Sequence, residues 1–104
     1  MENARSTGDY LRERLLGLMR RHTWIGDVRG KGLLTGVELV RDRQTLEPAG
    51  PETVRVLNHM RDNFVLVGRE GPHGNVLKIR PPLAFRREHA DILTDALDKA
   101  LAGL

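Results

Sequence analysis

Clusters of glycine and proline divide this sequence into short segments, and this division constrains the fold more than any other feature. Residues 25–32 hold three glycines, which suit turns around a short strand. Residues 41–50 are polar and lead into Pro51, so they predict a loop. Residues 71–75 read Gly-Pro-His-Gly-Asn and predict a turn. The chain is therefore expected to consist of short elements joined by tight connections.

Three segments carry apolar residues at helical spacing. Leucines and a methionine recur over residues 9–21 with arginine and glutamate between them, and Gly8 weakens the part that precedes them. The segment 51–62 begins with a proline, which suits the first turn of a helix. The segment 87–101 has the broadest apolar face. Each segment predicts a helix with one buried side.

The remaining apolar segments predict strands. Residues 33–40 are rich in the β-branched and apolar types that strands favour, and residues 64–67 form a shorter apolar run. Residues 76–80 alternate between apolar and charged side chains. Because a turn separates the last two runs, they predict a hairpin.

The order of these elements predicts an α/β chain of the α+β, two-layer kind. We expect one small, mostly antiparallel sheet of three to four strands with three helices packed on it. At 104 residues the chain fits one small domain.

Composition excludes several classes of protein. Cysteine is absent, which removes disulfide scaffolds and thiolate catalysis. No apolar run approaches the length of a membrane span and no leader pattern precedes the chain, so a cytoplasmic location is expected. The formal charge is only +3, and many arginines stand beside acidic residues. Nucleic acid is therefore not expected as a partner.

The sequence contains no self-sufficient active site. Gly30, Gly32 and Gly36 resemble a phosphate-binding loop, but a strand rather than a helix follows them, so backbone reasons are favoured. The four histidines lack metal-ligand spacing. Two of them, His22 and His89, stand near helix ends, where solvent exposure is expected.

The strand at 76–80 is the most informative segment. Side chains alternate along a strand, so Leu77 and Ile79 share one face while Lys78 and Arg80 share the other with Val76. If the leucine and isoleucine pack on helices, two cations project from the opposite face. That face could be solvated, or it could offer charge to an anionic group at a second domain.

Several motifs together resemble one enzyme family. Residues 28–39 read Val-Arg-Gly-Lys-Gly-Leu-Leu-Thr-Gly-Val-Glu-Leu, residues 75–83 read Asn-Val-Leu-Lys-Ile-Arg-Pro-Pro-Leu, and residues 3–15 precede them at matching spacing. This pattern resembles the C-terminal small domain of class-III aminotransferases, which are pyridoxal-phosphate enzymes of fold type I. The resemblance covers essentially the whole chain.

The resemblance implies that residues 1–104 form part of an enzyme. The cofactor and its Schiff-base lysine belong to a large domain upstream, and the active sites of such enzymes lie near the interface of a homodimer. None of Lys31, Lys78 or Lys99 matches the context of that lysine, so no catalytic or cofactor-binding residue is assigned. The isolated chain is expected neither to bind pyridoxal phosphate tightly nor to transaminate.

The resemblance also suggests how substrate is bound. The small domain of such enzymes closes over the substrate and places a cation on its carboxylate. Some members have an arginine three residues before the Pro-Pro pair, and this chain has Lys78 at that position. We expect Lys78 to contact the substrate and Arg80, which stands directly before the pair, to assist it. An ammonium is a point charge rather than a bidentate fork. The resemblance implies an amino acid or another amine as the substrate. An amine that carries a phosphate or a distal acid group is the alternative, as in the phospho-lyase branch that the Lys-x-x-Pro-Pro pattern also resembles.

A stand-alone α/β interaction or RNA-binding module is the alternative interpretation. A domain that belongs to a larger enzyme should expose an apolar patch where its partner packs. A stand-alone RNA-binding module should instead collect arginines on one face.

Overall fold

The computed structural model describes residues 2–63, 67–81 and 84–104. The predicted strand at 64–67 therefore lies outside the described residues except for Val67, which opens the fourth strand. All three helices and the predicted hairpin are present. The elements are α1 (Glu2–Arg21), β1 (Ile25–Lys31), β2 (Leu34–Asp42), β3 (Glu47–Pro48), α2 (Gly50–Asn63), β4 (Val67–Glu70), β5 (Val76–Ile79) and α3 (Arg87–Ala102).

The strands form one antiparallel sheet in the order β1-β2-β5-β4, with β3 paired to β2. The α+β fold class is confirmed. The sheet has one strand more than predicted because Glu47 and Pro48, within the expected loop, pair with the end of β2. Asp42 stabilises the turn that brings β3 back to β2. Its carboxylate accepts hydrogen bonds from the backbone N–H groups of Gln44 and Thr45, as in an Asx turn.

The helices pack on one side of the sheet. Helix α1 lies against β1 and β2, α2 lies against β4 and β5, and α3 packs between the two helices. The side of the sheet that faces them, here called the covered face, is apolar, and burial of its side chains is the main stabilising contribution. Its fully buried members include Val37, Leu39, Leu77 and Ile79.

Helix α1 begins well before the predicted residues 9–21, and Gly8 lies inside it. A Cβ on Gly8 would stand 1.8 Å from the carbonyl oxygen of Gly32. The helix therefore approaches the β1–β2 turn at a distance that only glycine allows. Arg12 stabilises the same contact by donating hydrogen bonds to the carbonyl oxygen of Gly32 at 2.8 Å and to the hydroxyl of Thr35 at 3.1 Å.

The carboxyl end of α1 is held by a distant arginine. Arg43 donates to the carbonyl oxygens of Met19, His22 and Ile25. A helix end leaves carbonyl groups without partners inside the helix, and the guanidinium fork supplies donors for them. Arg43 therefore joins the end of α1 to the start of β1.

The prediction that His22 is solvent-exposed is wrong. Its side chain is 15% exposed, and its Nε2 lies 2.5 Å from a carboxylate oxygen of Asp98 on α3. This contact holds the pKa of the Asp98 carboxyl below its usual range, with a further contribution from Arg21. His89 is also half-buried, and its Nδ1 accepts a hydrogen bond from the backbone N–H of Arg86 at the start of α3.

Candidate functional site

The face of the sheet opposite the helices, here called the open face, carries the predicted site residue Lys78. Backbone pairing places it in a row across four strands. Arg29 on β1 stands opposite Gly36 on β2, Gly36 stands opposite Lys78 on β5, and Lys78 stands opposite Gly68 on β4. This basic row therefore alternates cation and glycine.

An acidic row runs beside it. Asp27 pairs with Glu38, Glu38 with Val76, and Val76 with Glu70. Val76 is buried between these neighbours, whereas its row partners Asp27 and Glu70 are exposed. The open face thus sets three carboxylates next to two cations.

Ion pairs connect the two rows. The ammonium of Lys78 lies 2.8 Å from Glu70 Oε1, and Arg29 donates to Asp27 at 2.8 Å and to Glu38 at 3.1 Å. The hydrogen bond that Arg29 donates to Asp27, followed by the one that it donates to Glu38, raises the pKa of Arg29 above its ordinary value. Both cations are therefore already matched with carboxylates of the same face.

A depression of about 180 Å³ lies over the basic row. Gly36 forms part of its floor, and Arg29, Lys78 and Glu70 contribute its charged groups. The side chain of Lys78 is 24% exposed, so it is neither buried in the core nor extended freely into solvent. Two cations and one carboxylate give this lining a formal charge of +1.

Arg80 occupies a different position from Lys78. It follows the last residue of β5 and is exposed, and it does not line the depression. The structure therefore brings Lys78 together with Arg29, a residue that the sequence motifs did not single out as a binding residue. Arg29 and Lys78 share a row only through the register of β2, and sequence alternation within one strand cannot reveal this register.

Two of the three glycines in the candidate phosphate loop have backbone reasons. A Cβ on Gly30 would stand 2.2 Å from the carbonyl oxygen of Leu34, and Gly32 adopts a φ of 60° in the turn. Gly36 differs, because a Cβ there would make only ordinary contacts, with Val76 at 3.5 Å and Arg29 at 3.8 Å. The backbone interpretation thus accounts for the first two glycines and leaves the third without a steric cause.

Metal and membrane sites find no support in the described part of the chain. No group of three or more potential ligands among histidine and the acidic residues is gathered there to hold a metal ion. Within the same residues no helix has the length and apolar character needed to cross a membrane.

The described lysines do not fit a pyridoxal-phosphate pocket. A Schiff-base lysine needs an enclosed cavity and a side-chain amine that is free to react. Lys31 and Lys99 are exposed, and Lys78 is paired with Glu70 on an open sheet face. No step of cofactor chemistry is therefore assigned to these residues.

Comparison with known proteins places this chain in a family. The model of the family "Aminotransferase class-III" matches residues 1–101. The chain belongs to the class-III aminotransferases, and its membership confirms the resemblance carried by the motifs. Members of this family are pyridoxal-phosphate-dependent enzymes.

Individual relatives agree with this assignment. The chain is 46% identical over 101 residues to alanine–glyoxylate aminotransferase 2 homolog 2, mitochondrial, from Arabidopsis thaliana, covering 97% of this chain and 21% of that protein. It is 37% identical over 102 residues to ethanolamine-phosphate phospho-lyase homolog 1 from Caenorhabditis elegans, covering 97% and 22%. Because the Arabidopsis relative is named as mitochondrial, the expected cytoplasmic location stays a prediction.

A solved structure shows the same fold. A phospholyase from Arthrobacter in complex with phosphoethanolamine superimposes with a TM-score of 0.91 at 44% sequence identity. The match covers 98% of this chain and 24% of that one. The chain therefore spans between a fifth and a quarter of the length of these relatives.

Proposed function

We propose that this chain is the C-terminal small domain of a pyridoxal-phosphate-dependent class-III aminotransferase, where it closes over the amine substrate. The large cofactor-binding domain and a second subunit would complete the active site. In this proposal Lys78 meets the anionic group of the substrate, and Arg80 assists from the end of β5. The isolated chain would then be inactive.

The observation that carries this proposal is the position of the Lys78 ammonium. It lies on the open face between glycines of the two neighbouring strands and holds a carboxylate, that of Glu70, at 2.8 Å. A substrate carboxylate or phosphate offers the same chemistry as Glu70, so it can replace this partner without rebuilding the site. The helices on the other side leave this face available to a second domain.

The test uses the full-length enzyme that contains this chain. We expect Lys78→Ala to raise the KM for the amino donor or to lower kcat/KM, because an uncompensated anion binds less well. Lys31→Ala is the matched control, since Lys31 is also a lysine of the sheet but is exposed at the end of β1. Unchanged kinetics for Lys78→Ala would contradict the proposal.

A phospho-lyase is the second candidate, and the two phospho-lyase relatives favour it. The two reactions leave different products. An aminotransferase passes an amino group to a keto acid, whereas a phospho-lyase releases inorganic phosphate from an amine phosphate. Assaying the full-length enzyme for released phosphate and for transferred amino groups, with the same phosphorylated amine, distinguishes them.

The stand-alone alternative predicts a different surface. The charged rows of the open face contain carboxylates as well as cations, so they do not offer the extended positive surface that a backbone of many phosphates requires. The apolar patch that we expected for a domain of a larger enzyme is not found on the open face either, where Leu34 is the one exposed large apolar side chain among the described residues. A contact of this face with a second domain would therefore depend on its charged groups. An RNA-binding assay across salt concentrations tests the alternative, which requires a measurable affinity with a steep salt dependence.

A further inference from the structure

We propose that Arg29 and Lys78 together form a two-cation site for a phosphate group, with Gly36 as its floor. This proposal rests on the function proposed above, because it takes Lys78 as the residue that meets the anionic end of the substrate. It adds Arg29 as a second specificity-determining residue. It also commits to phosphate as the preferred anion.

The glycines of the basic row provide the first argument. Glycine in the interior of a strand lowers stability and often marks a place where a ligand or another backbone approaches closely. A Cβ on Gly68 would meet no atom of the described residues within 4 Å, and one on Gly36 would make only ordinary contacts. The fold of the described chain thus gives no steric reason for either glycine, whereas a ligand seated over the row does.

The spacing of the cations provides the second argument. Arg29 and Lys78 lie on strands separated by one strand, which places their backbones about 10 Å apart. Both side chains line the same depression, and the residue between them in the row is Gly36. Two long side chains that flank a glycine have the length to reach one small anion between them.

The geometry of the anion selects phosphate. A carboxylate presents its two oxygens on one side, which suits one bidentate partner. The oxygens of a phosphate point in tetrahedral directions, so it can accept from an arginine fork on one side and an ammonium on the other. Binding would move Lys78 from Glu70 and Arg29 from Asp27 and Glu38, the partners that hold them in its absence.

The experiment measures binding of inorganic phosphate to the 104-residue chain. A titration followed by two-dimensional amide NMR, at constant ionic strength, should show saturable shifts at residues 29, 36 and 78. Arg29→Gln and Lys78→Gln should each weaken the binding of phosphate about tenfold. Glu70→Gln should strengthen this binding, because it removes a carboxylate that competes for Lys78.

Arg41→Gln is the matched control. Arg41 is an exposed arginine of the same sheet that is also paired with two carboxylates, Glu47 and Glu52. Its substitution should leave the phosphate affinity unchanged. Gly36→Ala is a further variant that keeps every charge. It should weaken the binding of phosphate, because the added methyl occupies the floor of the depression. The dispersed NMR spectrum of the folded chain should be retained.

The outcomes separate this inference from the proposed function. If Arg29→Gln binds phosphate like the original chain while Lys78→Gln does not, the second cation is refuted and Lys78 keeps its role. If acetate binds as tightly as phosphate, the preference for phosphate is refuted. If no saturable shift centres on residues 29, 36 and 78, the two-cation site is refuted, and the kinetics of Lys78→Ala in the full-length enzyme still decide the proposed function.

Discussion

The covered and open faces of one sheet differ in what holds their side chains in place. On the covered face, Leu77 and Ile79 are fully buried against the helical layer. On the open face, Lys78 stands between them in sequence and forms an ion pair with Glu70. Neighbouring residues of one strand thus depend on different forces: burial of apolar surface on one side and charge pairing on the other.

This difference separates residues explained by the fold from residues that the fold leaves unexplained. The packing of the chain accounts for three residues that lie against backbone carbonyl groups, namely Gly8, Arg12 and Arg43. Gly36 and Gly68 have no such cause among the described contacts. Residues without a structural reason inside the domain are the ones for which we propose a ligand.

The largest expected effect compares two neighbouring residues of β5. Leu77→Ala should lower the free energy of unfolding by about 2–5 kcal/mol, because it leaves a cavity in the core. Lys78→Ala should lower it by at most about 1 kcal/mol, because its ion pair is partly solvated. Urea denaturation of both variants measures the difference. Equal losses would show that the two faces are not energetically distinct.

Glycine substitutions give the next largest effect and test the same contrast. Gly8→Ala should destabilise by about 1–3 kcal/mol, since the added methyl meets the carbonyl of Gly32 and the turn must move. Gly68→Ala should be neutral or slightly stabilising, because its methyl has space. Gly17→Ala, also in α1 but with no atom of the described residues within 4 Å of the added carbon, controls for helix propensity and should stabilise. Thermal unfolding of the three variants should give opposite signs for Gly8 and Gly17.

A smaller effect concerns the joint between helix and sheet. Arg43→Ala should cost about 1–2 kcal/mol, because the carbonyls at the end of α1 lose their charged donor. Arg43→Lys should recover only part of this loss, since one ammonium cannot copy the guanidinium fork. Urea midpoints of the two variants provide the measurement. Full recovery by lysine would mean that charge alone holds the joint.

The smallest effect is a pH dependence in the helical layer. The pKa of the Asp98 carboxyl is lowered in the folded chain, chiefly by its hydrogen bond with His22. Its contribution to stability is therefore present above the pKa of the unfolded chain and is lost as the pH falls below about 4. Asp98→Asn should be less stable than the original chain at pH 7, and the difference should shrink in acid.

Asp95→Asn is the control for this pH dependence. Asp95 lies on the same helix but its side chain is 68% exposed, with one ion pair at 3.5 Å to Arg14. Its substitution should change the stability at pH 7 less than Asp98→Asn does. A difference for Asp98→Asn that stays constant from pH 7 to acid would contradict the role of the carboxylate.

Much of the fold was predictable because local patterns decided it. The helices at 51–62 and 87–101 agree with α2 and α3 to within one residue at each end, since apolar spacing and nearby prolines mark them. The start of α1 could not be predicted in this way. Gly8 disfavours a helix on local grounds, but the close contact with Gly32 requires glycine at this position. The burial of His22 was missed for the same reason: its partner Asp98 lies on a distant helix.

The candidate site was predictable only in part. Alternation in β5 correctly separates Leu77 and Ile79 from Lys78, because side chains alternate in any strand. It cannot tell which cation of another strand stands beside Lys78. The sequence motifs pointed to Arg80 as the companion, and the structure adds Arg29 in the same row.

By itself, the sequence determined the types of element, their order and membership of the class-III aminotransferases, because these follow from local spacing and from motifs that stay readable in one dimension. Only the tertiary structure decided which residues share the open face as neighbours. That choice depends on strand register, which is set by pairing between segments far apart in the chain. A shift of β2 by one residue would turn Gly36 to the covered face and separate Arg29 from Lys78.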